Sequence, residues 1–414
     1  MTRCRDPTSH QVLPSLPSDA QQYAMSRESR PNILLLTDGV MPYSIGGIQR
    51  HSRKLCEQLL RLGSQVTLFH TAARGSLAER AERLEGWDPS LRAGLRAEFV
   101  EWPASTWYPG HYLRECHLYS RMLLSRFMQI RMERRIDFIY AQGLTGLAFV
   151  AARKDGLEIP PVGVNAHGYE VFQRCSGLSA RISQVLLRPA HRRISLDADI
   201  VFCFSGKIRQ IVEDKIGVHH SRIRELPNAV DPTWVTEDVA RPGRQRKFVF
   251  VGRYERRKGV QELTRALRIL EGIDWTMDFV GPIPESSRIR DPRIHYRGVI
   301  RDEQELMGIY DTCDCIVAPS YAEGMPTVLI EAMARGLTPL ATDVGAVREL
   351  VTAAGGSLLS DPSPAEIRAG IAQIATLADG ELYRRKCAAR DAARSFTWDL
   401  VGDATMQAIE NHLS

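Results

Sequence analysis

Residues 315–336 read CIVAPSYAEGMPTVLIEAMARG, and this stretch shows the unit from which the chain is built. The apolar run Cys315–Ala318 is typical of a buried parallel strand, and a loop with Glu323 and Gly324 follows it. Pro326 then predicts the start of a helix, because a proline at the first helical position loses no hydrogen bond. Strand, short loop and helix in this order indicate an α/β protein.

The same alternation of buried strands and amphipathic helices runs through the chain in two series. Strands are predicted at 33–36, 66–69, 138–141, 162–164, 200–204 and 222–226, and then at 247–251, 276–280, 294–297, 315–318, 339–341 and 357–359. Two doubly wound, Rossmann-like parallel sheets of similar size are therefore predicted. A ligand would bind in the cleft between them, facing the carboxyl ends of both sheets.

The segment between the two series predicts the domain boundaries. Residues 231–246 contain Asp-Pro and Pro-Gly pairs and scattered charges, which are typical of an interdomain linker. We therefore expect an N-terminal domain over residues 31–230 and a C-terminal domain over residues 247–395. Residues 1–30 are polar and have no apolar segment, so we expect a disordered extension and not a secretory signal.

The composition narrows the possible partners. Residues 1–300 carry 45 Lys and Arg against 32 Asp and Glu, whereas residues 301–414 carry 9 against 17. A basic first part favours an anionic partner such as a phosphate group or a membrane surface. We expect no nucleic-acid partner, because no finger, recognition helix or aromatic stacking motif accompanies the charge. Apolar runs of about five residues are too short to span a bilayer.

The eight cysteines include no CxxC pair, so we expect buried free thiols and no zinc or redox site. Asp197 and Asp199 form a DxD pattern, which holds a metal and a diphosphate in other transferases. They precede a predicted strand, however, and lie at the wrong end of the sheet for a ligand site. We therefore expect no metal there.

Two carboxylates accompany the helix predicted at Pro326. The amides at a helix N-terminus are unpaired and carry the positive end of the dipole, so they suit phosphate or sugar hydroxyls. Glu323 precedes this N-terminus and Glu331 lies about one turn into the helix, so both can reach one ligand. They would suit the hydroxyls of a sugar and a ribose. A capped surface helix explains the same pattern, and the spacing alone does not decide between the two.

A second candidate site follows the strand that ends at Gly252. Arg253 and Lys258 come next, just before a helix. Two cations at the carboxyl end of a strand suit a diphosphate, since Arg binds phosphate oxygens bidentately and Lys acts as a point charge. The alternative is a basic surface loop in which Arg256 and Arg257 face solvent.

Two further loops lie at predicted strand ends. Gly46 and Gly47 let the backbone approach a phosphate or sugar closely, but no P-loop or GxGxxG pattern is present, so NAD is disfavoured. His167 follows the strand at 162–164. It suits hydrogen bonding to a sugar oxygen or proton transfer, and a structural histidine explains the position equally.

Taken together and in this order, the motifs resemble the family-four retaining glycosyltransferases of the GT-B fold, in which two Rossmann-like domains face each other across a cleft. The resemblance covers residues 31 to 414. Its further parts are Gly168, Ser205, Pro227, Asn228, Asp231, Gly259, Phe279, Gly281, Gly298, Val299, Gly345 and Glu349. Arg50 and His51 depart from the family pattern, because they place basic residues behind the glycine loop.

The resemblance implies a role for each catalytic residue. Arg253 and Lys258 would hold the diphosphate of a nucleotide sugar, and Glu323 would bind the transferred hexose. His167 would lie beside the sugar and the acceptor. Retention in this family is thought to use attack on the same face, so no protein nucleophile is expected.

The remaining donor contacts follow from the same resemblance. Glu331 would bind the ribose, and the backbone near Val299 would meet the base. Gly46 and Gly47 would approach the phosphates from the opposite domain. The backbone that follows Glu323 would bind the hexose; its residues are Gly324, Met325, Pro326 and Thr327. The terminal helix, residues 396–414, would pack back across the domains.

The expected protein is a cytoplasmic hexosyltransferase without cofactor or metal. It would move a hexose from a UDP- or GDP-linked donor to a glycan or lipid-linked acceptor in cell-surface polysaccharide or glycolipid synthesis. Residues 111–135 and 181–193 are rich in Arg; they suit contact with an anionic membrane at its inner face, or a core-packed amphipathic helix. A sugar phosphorylase or nucleotide-sugar epimerase of the same fold, and a non-catalytic sugar-nucleotide binder, are the alternatives.

Overall fold

The computed structural model of the protein describes residues 30–44, 46–72, 84–104, 108, 110–175 and 177–414. Its strands form two all-parallel sheets, one of seven strands and one of six, with helices between successive strands. The α/β class and the two doubly wound sheets predicted from the sequence are therefore confirmed.

The first sheet belongs to the N-terminal domain. Its strands are β1 (Ile33–Leu36), β2 (Val66–His70), β3 (Leu95–Phe99), β4 (Phe138–Gln142), β5 (Val162–Asn165), β6 (Ile200–Cys203) and β7 (Ile223–Glu225). They lie in the order β3-β2-β1-β4-β5-β6-β7. Within the described part of this domain, the helices are α1 (Gly47–Arg61), α2 (His111–Ile130), α3 (Leu147–Lys154), α4 (Leu178–Asp197) and α5 (Lys207–Gln210), which continues as a wider π-helical turn over Ile211–Ile216.

The second sheet belongs to the C-terminal domain. Its strands are β8 (Arg246–Val251), β9 (Trp275–Val280), β10 (Ile294–Gly298), β11 (Cys315–Ala318), β12 (Thr338–Thr342) and β13 (Ser357–Leu359), in the order β10-β9-β8-β11-β12-β13. The helices here are α6 (Val260–Arg268), α7 (Glu303–Asp311), α8 (Thr327–Ala334), α9 (Val347–Ala353), α10 (Pro364–Ala375) and α11 (Asp379–Ala393), and α12 (Trp398–Leu413) follows them.

Continuous apolar runs form the central strands because helices cover both faces of a parallel sheet. Every residue of β1 is fully buried, and Leu35 pairs with Leu68 of β2 and Tyr140 of β4. Each buried leucine contributes about 2 kcal/mol through removal of its side chain from water. The register therefore brings the loops that follow these strands to one edge of the sheet.

One strand was missed in the sequence. β3 lies at the edge of the first sheet and reads Leu-Arg-Ala-Glu-Phe, with every residue only partly buried. An edge strand keeps charged side chains in water and has no continuous apolar run, so the signal used for the other strands is missing. The predicted start of one helix also shifts by a residue, because Pro326 is the N-cap and α8 begins at Thr327.

The segment between the two sheets is more ordered than a linker composition suggests. Pro232–Trp234 forms a 3₁₀ turn, and the Trp234 side chain is fully buried, 6.3 Å from the Tyr310 ring. Arg246, placed in the linker by sequence, is the first residue of β8. The segment therefore contributes an aromatic anchor beside α7.

The chain passes between the domains twice, and the two passages lie side by side. Val230 and Thr397 form a parallel bridge, with hydrogen bonds from Val230 N to Phe396 O and from Trp398 N to Val230 O. α12 then packs on α1 of the N-terminal domain. Its buried residues join a core cluster of the first sheet; they are Trp398, Val401, Met406, Ala408 and Ile409.

The DxD acids have structural partners. Asp197 binds Lys154 at 2.9 Å, and Asp199 accepts a hydrogen bond from the Val162 amide at 2.8 Å. Among the described residues, no helix has the length and apolar character needed to cross a membrane.

We expect replacement of His70 by Phe to reduce the sensitivity of the fold to mild acid. His70 lies buried between Tyr43 and Phe99, and burial lowers its pKa to about 4. The unfolded chain takes up this proton near pH 6.5, so stability present above that pH is lost as pH falls towards 4. From pH 7 to pH 5 the loss from this group is about 2 kcal/mol. Urea denaturation of both proteins at the two pH values measures it, and equal losses would contradict the expectation.

Candidate functional site

The Glu323 carboxylate lies buried where the two domains meet, at the end of β11. Its Oε1 accepts hydrogen bonds from Lys258 Nζ at 2.6 Å and from Ser320 Oγ at 2.8 Å, and its Oε2 accepts one from Arg257 Nη1 at 3.1 Å. Lys258 and Arg257 come from the loop after β8, which is the neighbour of β11. Adjacent strands thus bring one anion and two cations together.

These charges decide the ionisation of the site. Burial alone would raise the pKa of Glu323, but the charges of Lys258 and Arg257 outweigh it and hold that pKa below its ordinary value. Hydrogen bonds from Lys258 and Ser320 act in the same direction. Glu323 is therefore an ionised hydrogen-bond acceptor at neutral pH, and it fixes the Lys258 ammonium in place.

Gln173 links the loop that follows β5 to the Glu323 loop. Its Nε2 donates to the carbonyl oxygens of Gly168 and Glu323, each at 2.6 Å, and its Oε1 accepts from the Glu323 amide at 3.3 Å. The backbones of Gly168 and Gly324 also touch, because a Cβ on Gly324 would lie 2.8 Å from the Gly168 Cα. Only glycines allow the two domains to approach this closely.

Gly345 supports the same loop from the C-terminal domain. It has φ +55°, and a Cβ there would lie 2.2 Å from the Glu323 carbonyl oxygen. The Ala346 amide donates to the Gly324 carbonyl at 2.8 Å. The loop with Glu323 is therefore fixed from both sides.

Arg253 and Lys258 have different surroundings. Lys258 contacts Glu323, whereas the Arg253 side chain is 68% exposed and pairs only with Glu255, at 2.9 Å, among the contacts of the described residues. Arg257, which the surface-loop alternative left in solvent, contacts Glu323 and the Ala322 carbonyl. That part of the alternative is wrong for Arg257, because Glu323 draws its guanidinium inward.

Glu331 lies on α8, buried, and its partner comes from the other domain. Arg50 on α1 donates from Nη1 to Glu331 Oε1 at 2.6 Å and from Nη2 to Glu303 Oε1 at 2.8 Å. Burial raises the pKa of Glu331; Arg50 lowers it and Glu303 raises it. The sequence flagged Arg50 as unusual but gave no partner for it.

Two helix N-termini face this region without a side-chain cap. α1 begins after Gly46, and a Cβ on Gly47 would meet no atom within 4 Å, so its backbone is open to a ligand. α8 begins after Pro326, again with no side-chain hydrogen bond to its first amides. Met325 is buried and its carbonyl accepts from Asn228 Nδ2 at 2.5 Å. Thr327 is the first residue of α8 and contributes one of its free amides.

His167 belongs to a buried hydrogen-bond chain. Its Nε2 lies 2.6 Å from Gln142 Oε1, and Gln142 Nε2 lies 3.1 Å from His51 Nδ1. Since an amide oxygen only accepts, His167 Nε2 carries the proton and Nδ1 is left as an acceptor. Burial lowers the pKa of His167 to about 4, so the ring is neutral at pH 7. Its φ of +56° is a strained backbone that this loop holds.

Val299 lies directly after β10 and is 60% exposed. The structure thus places most of the predicted site residues along the boundary between the two domains, from His167 and Glu323 to Glu331. We call this boundary the seam. Val299 and Arg253 lie at its solvent-facing part. The contacts that the sequence did not predict are those of Gln173, Arg257, Gln142 and Arg50. Gln142 directly follows the strand predicted at 138–141 and Arg257 is next to Lys258, which are signals that could have found them; Gln173 and Arg50 have no such signal.

A cavity of about 630 Å³ lies beside this seam, between α5 and the loops after β12 and β13. Gln173, Tyr321 and Gly345 separate it from Glu323, and none of the residues predicted to bind the donor lines it. The site is therefore defined by the ion-pair geometry at Glu323 and not by this cavity. Among the described residues, no cluster of three or more His, Cys, Asp and Glu is arranged for a metal ion.

Each of the two domains matches the model of a known protein family. Residues 45–234 match the model described as Glycosyltransferase Family 4, and residues 245–376 match Glycosyl transferases group 1. The two matches fall one on each sheet, in the order that a two-domain enzyme requires.

Individual relatives agree with the assignment. The chain is 31% identical to the putative teichuronic acid biosynthesis glycosyltransferase TuaC of Bacillus subtilis over 39% of this chain and 43% of that protein. Sucrose-phosphate synthase from Thermosynechococcus elongatus superposes with a TM-score of 0.73 at 19% identity, over 92% of this chain and 99% of that one. Anabaena HepE in complex with UDP gives 0.65 at 18% identity, over 92% and 100%.

The fold and the matches together define a glycosyltransferase of the GT-B fold. Its C-terminal domain is of the group 1 glycosyltransferase type, and its N-terminal domain is of the family 4 type. The resemblance recognised in the sequence is confirmed, as is the expectation of a glycosyltransferase.

We expect Gly345→Ala to destabilise the protein more than Gly272→Ala. Both glycines have positive φ, +55° and +75°, so each alanine carries a backbone cost of about 1 kcal/mol. Only at Gly345 would the new Cβ also meet backbone oxygens, which adds about 1–3 kcal/mol of overpacking. A Cβ on Gly272 would meet nothing within 4 Å. Urea unfolding compares the variants, and equal losses would show that the Glu323 loop moves freely.

Proposed function

We propose that the protein is a retaining, metal-independent transferase that moves a hexose from a UDP- or GDP-linked donor to a glycan or lipid-linked acceptor in polysaccharide or glycolipid synthesis. The observation that carries this is the buried Glu323 carboxylate held by Lys258 and Arg257. A carboxylate in this setting accepts hydrogen bonds from sugar hydroxyls, and the adjacent ammonium is fixed where a diphosphate would leave.

The chemistry needs stabilisation of the leaving group more than a nucleophile. The bond between the anomeric carbon and the phosphate oxygen breaks, and its electron pair stays on the departing diphosphate. Lys258, the exposed Arg253 and the open amides of α8 supply fixed positive charge for that anion, which supports catalysis without a metal. The acceptor hydroxyl attacks the same face of the sugar, and its proton goes to the departing phosphate.

The remaining predicted residues fit around this centre. Neutral His167 would accept, at Nδ1, a hydrogen bond from a hydroxyl of the sugar or of the acceptor substrate. It would not act as a titrating base near pH 7. Glu331 would accept the ribose hydroxyls, and Val299 would lie against the base. Gly46 and Gly47 would bring the start of α1 to the phosphates. HepE, whose structure contains UDP, supports a uridine nucleotide as the first donor to try.

We expect Lys258→Ala to weaken nucleotide binding and Arg256→Ala to leave it near wild type. A charge-assisted hydrogen bond contributes about 1.5–3 kcal/mol, so the loss in affinity is roughly 10- to 100-fold. Arg256 is the matched control, because its partners are the Glu262 carboxylate at 2.6 Å and the Tyr321 hydroxyl and not the Glu323 carboxylate. Calorimetric titration with UDP, GDP, ADP and their hexose conjugates, with EDTA present, measures binding. Failure of every nucleotide to bind wild type would refute the proposed donor site.

The same preparation separates transfer from binding. Glu323→Gln is expected to lower turnover by at least about a hundredfold, because the hexose loses its orienting group, while nucleotide affinity stays within about threefold. Turnover of wild type with inorganic phosphate or water and no acceptor would point to a phosphorylase or epimerase. Donor binding with no turnover on any acceptor would point to a non-catalytic binder.

We also propose that one face of the N-terminal domain contacts an anionic membrane. On α4, Ile182 and Val185 are 60% and 55% exposed, and Leu186 is exposed beside them. Spacings of three and four residues place these side chains on one side of the helix. Arg192 and Arg193 are exposed on the same helix. An exposed apolar row with flanking arginines is typical of a helix that lies in the membrane interface.

We expect the double change of Arg192 and Arg193 to Ala to weaken binding to vesicles that contain anionic lipid. Each arginine near such a surface contributes about 1 kcal/mol, so the expected loss is roughly thirtyfold. Replacement of Arg265 and Arg268, which are exposed on α6 of the other domain, is the matched control. Vesicle co-sedimentation compares the two, and equal losses would mean that the α4 face is not the contact.

A further inference from the structure

Arg50 of the N-terminal domain forms an ion pair with Glu331, the residue predicted to bind the ribose. Its guanidinium divides between two carboxylates of the C-terminal domain, Glu331 on α8 and Glu303 on α7, at 2.6 and 2.8 Å. The same group lies over the Trp234 ring, 5.7 Å from its centroid. We call these residues, Arg50, Glu331, Glu303 and Trp234, the Arg50 cluster. The guanidinium is thus held in one orientation by three separate segments.

The two ion pairs of the Arg50 cluster are unequal. The Glu331 side chain is 3% exposed and that of Glu303 is 50% exposed. A pair at the rim contributes little, since water screens it. A buried carboxylate that loses its cation is left uncompensated, which is strongly unfavourable. Loss of the contact to Glu331 is therefore the costly one, and Glu303 serves to orient the guanidinium.

Arg50 continues a basic face of α1. Lys54, one turn further along, binds Asp231 at 2.6 Å and lies 3.5 Å from Glu57. Asp231 belongs to the passage between the sheets and does not contact Glu331. α1 therefore presents two cations, Arg50 and Lys54, to residues outside the N-terminal sheet. Only Arg50 reaches the predicted nucleotide site.

The geometry points to a new role for Arg50 in the donor site proposed above. We propose that Arg50 is a positioning residue for the nucleotide: it holds Glu331 charged and correctly oriented to accept the ribose hydroxyls. Because Arg50 lies on α1 and Glu331 on α8, this state exists only when the two domains are together. Through this guanidinium, donor binding is coupled to the contact between the two domains.

The groups around Glu331 set the direction of the pH effect. Burial raises the pKa of Glu331, Arg50 lowers it and Glu303 raises it. Asp231 acts on the Arg50 guanidinium, and Tyr310 stays neutral because burial raises its pKa. Loss of Arg50 leaves the effects of burial and Glu303 unopposed. The carboxylate then takes up its proton at a higher pH, and a protonated carboxyl accepts ribose hydroxyls poorly.

The test compares Arg50→Ala, Arg50→Lys and the control Lys54→Ala. An adjacent arginine shifts a carboxyl pKa by about 1–3 units, and each unit is a tenfold change below the pKa. For Arg50→Ala we expect the donor KM to rise at least about tenfold near pH 6 and less near pH 8. Turnover at saturating donor should change less than about threefold, because Glu323 and Lys258 are untouched. Arg50→Lys should be intermediate, and Lys54→Ala should keep the wild-type pH profile.

A double-mutant cycle makes the result specific to Glu331. Glu331→Gln removes the titrating group, so Arg50→Ala in that background should change neither the KM nor its pH dependence further. An Arg50→Ala protein with wild-type KM and pH profile, or with tighter donor binding, would overturn the inference while the donor site stands. Failure of wild type to bind any nucleotide would instead overturn the donor site itself. Direct titration with UDP and GDP distinguishes these cases without reference to turnover.

Discussion

A carboxylate can stay charged inside a protein only if cations and hydrogen-bond donors compensate the loss of water, and this requirement organises the molecule around Glu323. Lys258 and Arg257 reach it from the adjacent strand, and Ser320 completes its hydrogen bonds. The compensation works only if β8 and β11 are neighbours in the sheet and if the loops after them stay fixed. The close glycine contacts at Gly168 and Gly345 supply that fixation.

The electrostatics of the seam differ at its two carboxylates. Glu323 has its compensating cations in its own domain and a lowered pKa. Glu331 has its cation from the opposite domain and a raised pKa. The two acids look alike in the sequence, eight residues apart, yet one is compensated locally and the other across the cleft.

The sequence predicts local features well because they depend on neighbours along the chain. Apolar runs locate the central strands, and the order of the motifs identifies the family. β3 was not predicted, because its charged, half-exposed residues form no such apolar run. The packing of Trp234 was equally invisible, since a linker composition says nothing about what a single tryptophan contacts.

Side-chain partners at the site are the least predictable part, because they join residues far apart in the chain. Arg50 and Glu331 are 281 positions apart, and Gln173 and Glu323 are 150 apart. Neither arginine nor glutamine at such a position has a periodicity that reveals its partner. The roles of all the predicted site residues, Arg253 and Val299 among them, depend on a ligand and remain predictions from the resemblance.

Helix α12 affects the order in which the parts of the molecule can fold. Trp398 and Ile409 of α12 belong to the core of the first sheet, alongside Leu35 and Leu59. The N-terminal domain therefore leaves the ribosome with an apolar face that residues 398–413 cover later. Until those residues emerge, the exposed face is a surface on which chaperones bind and nascent chains aggregate, although the second domain can already bury its own core.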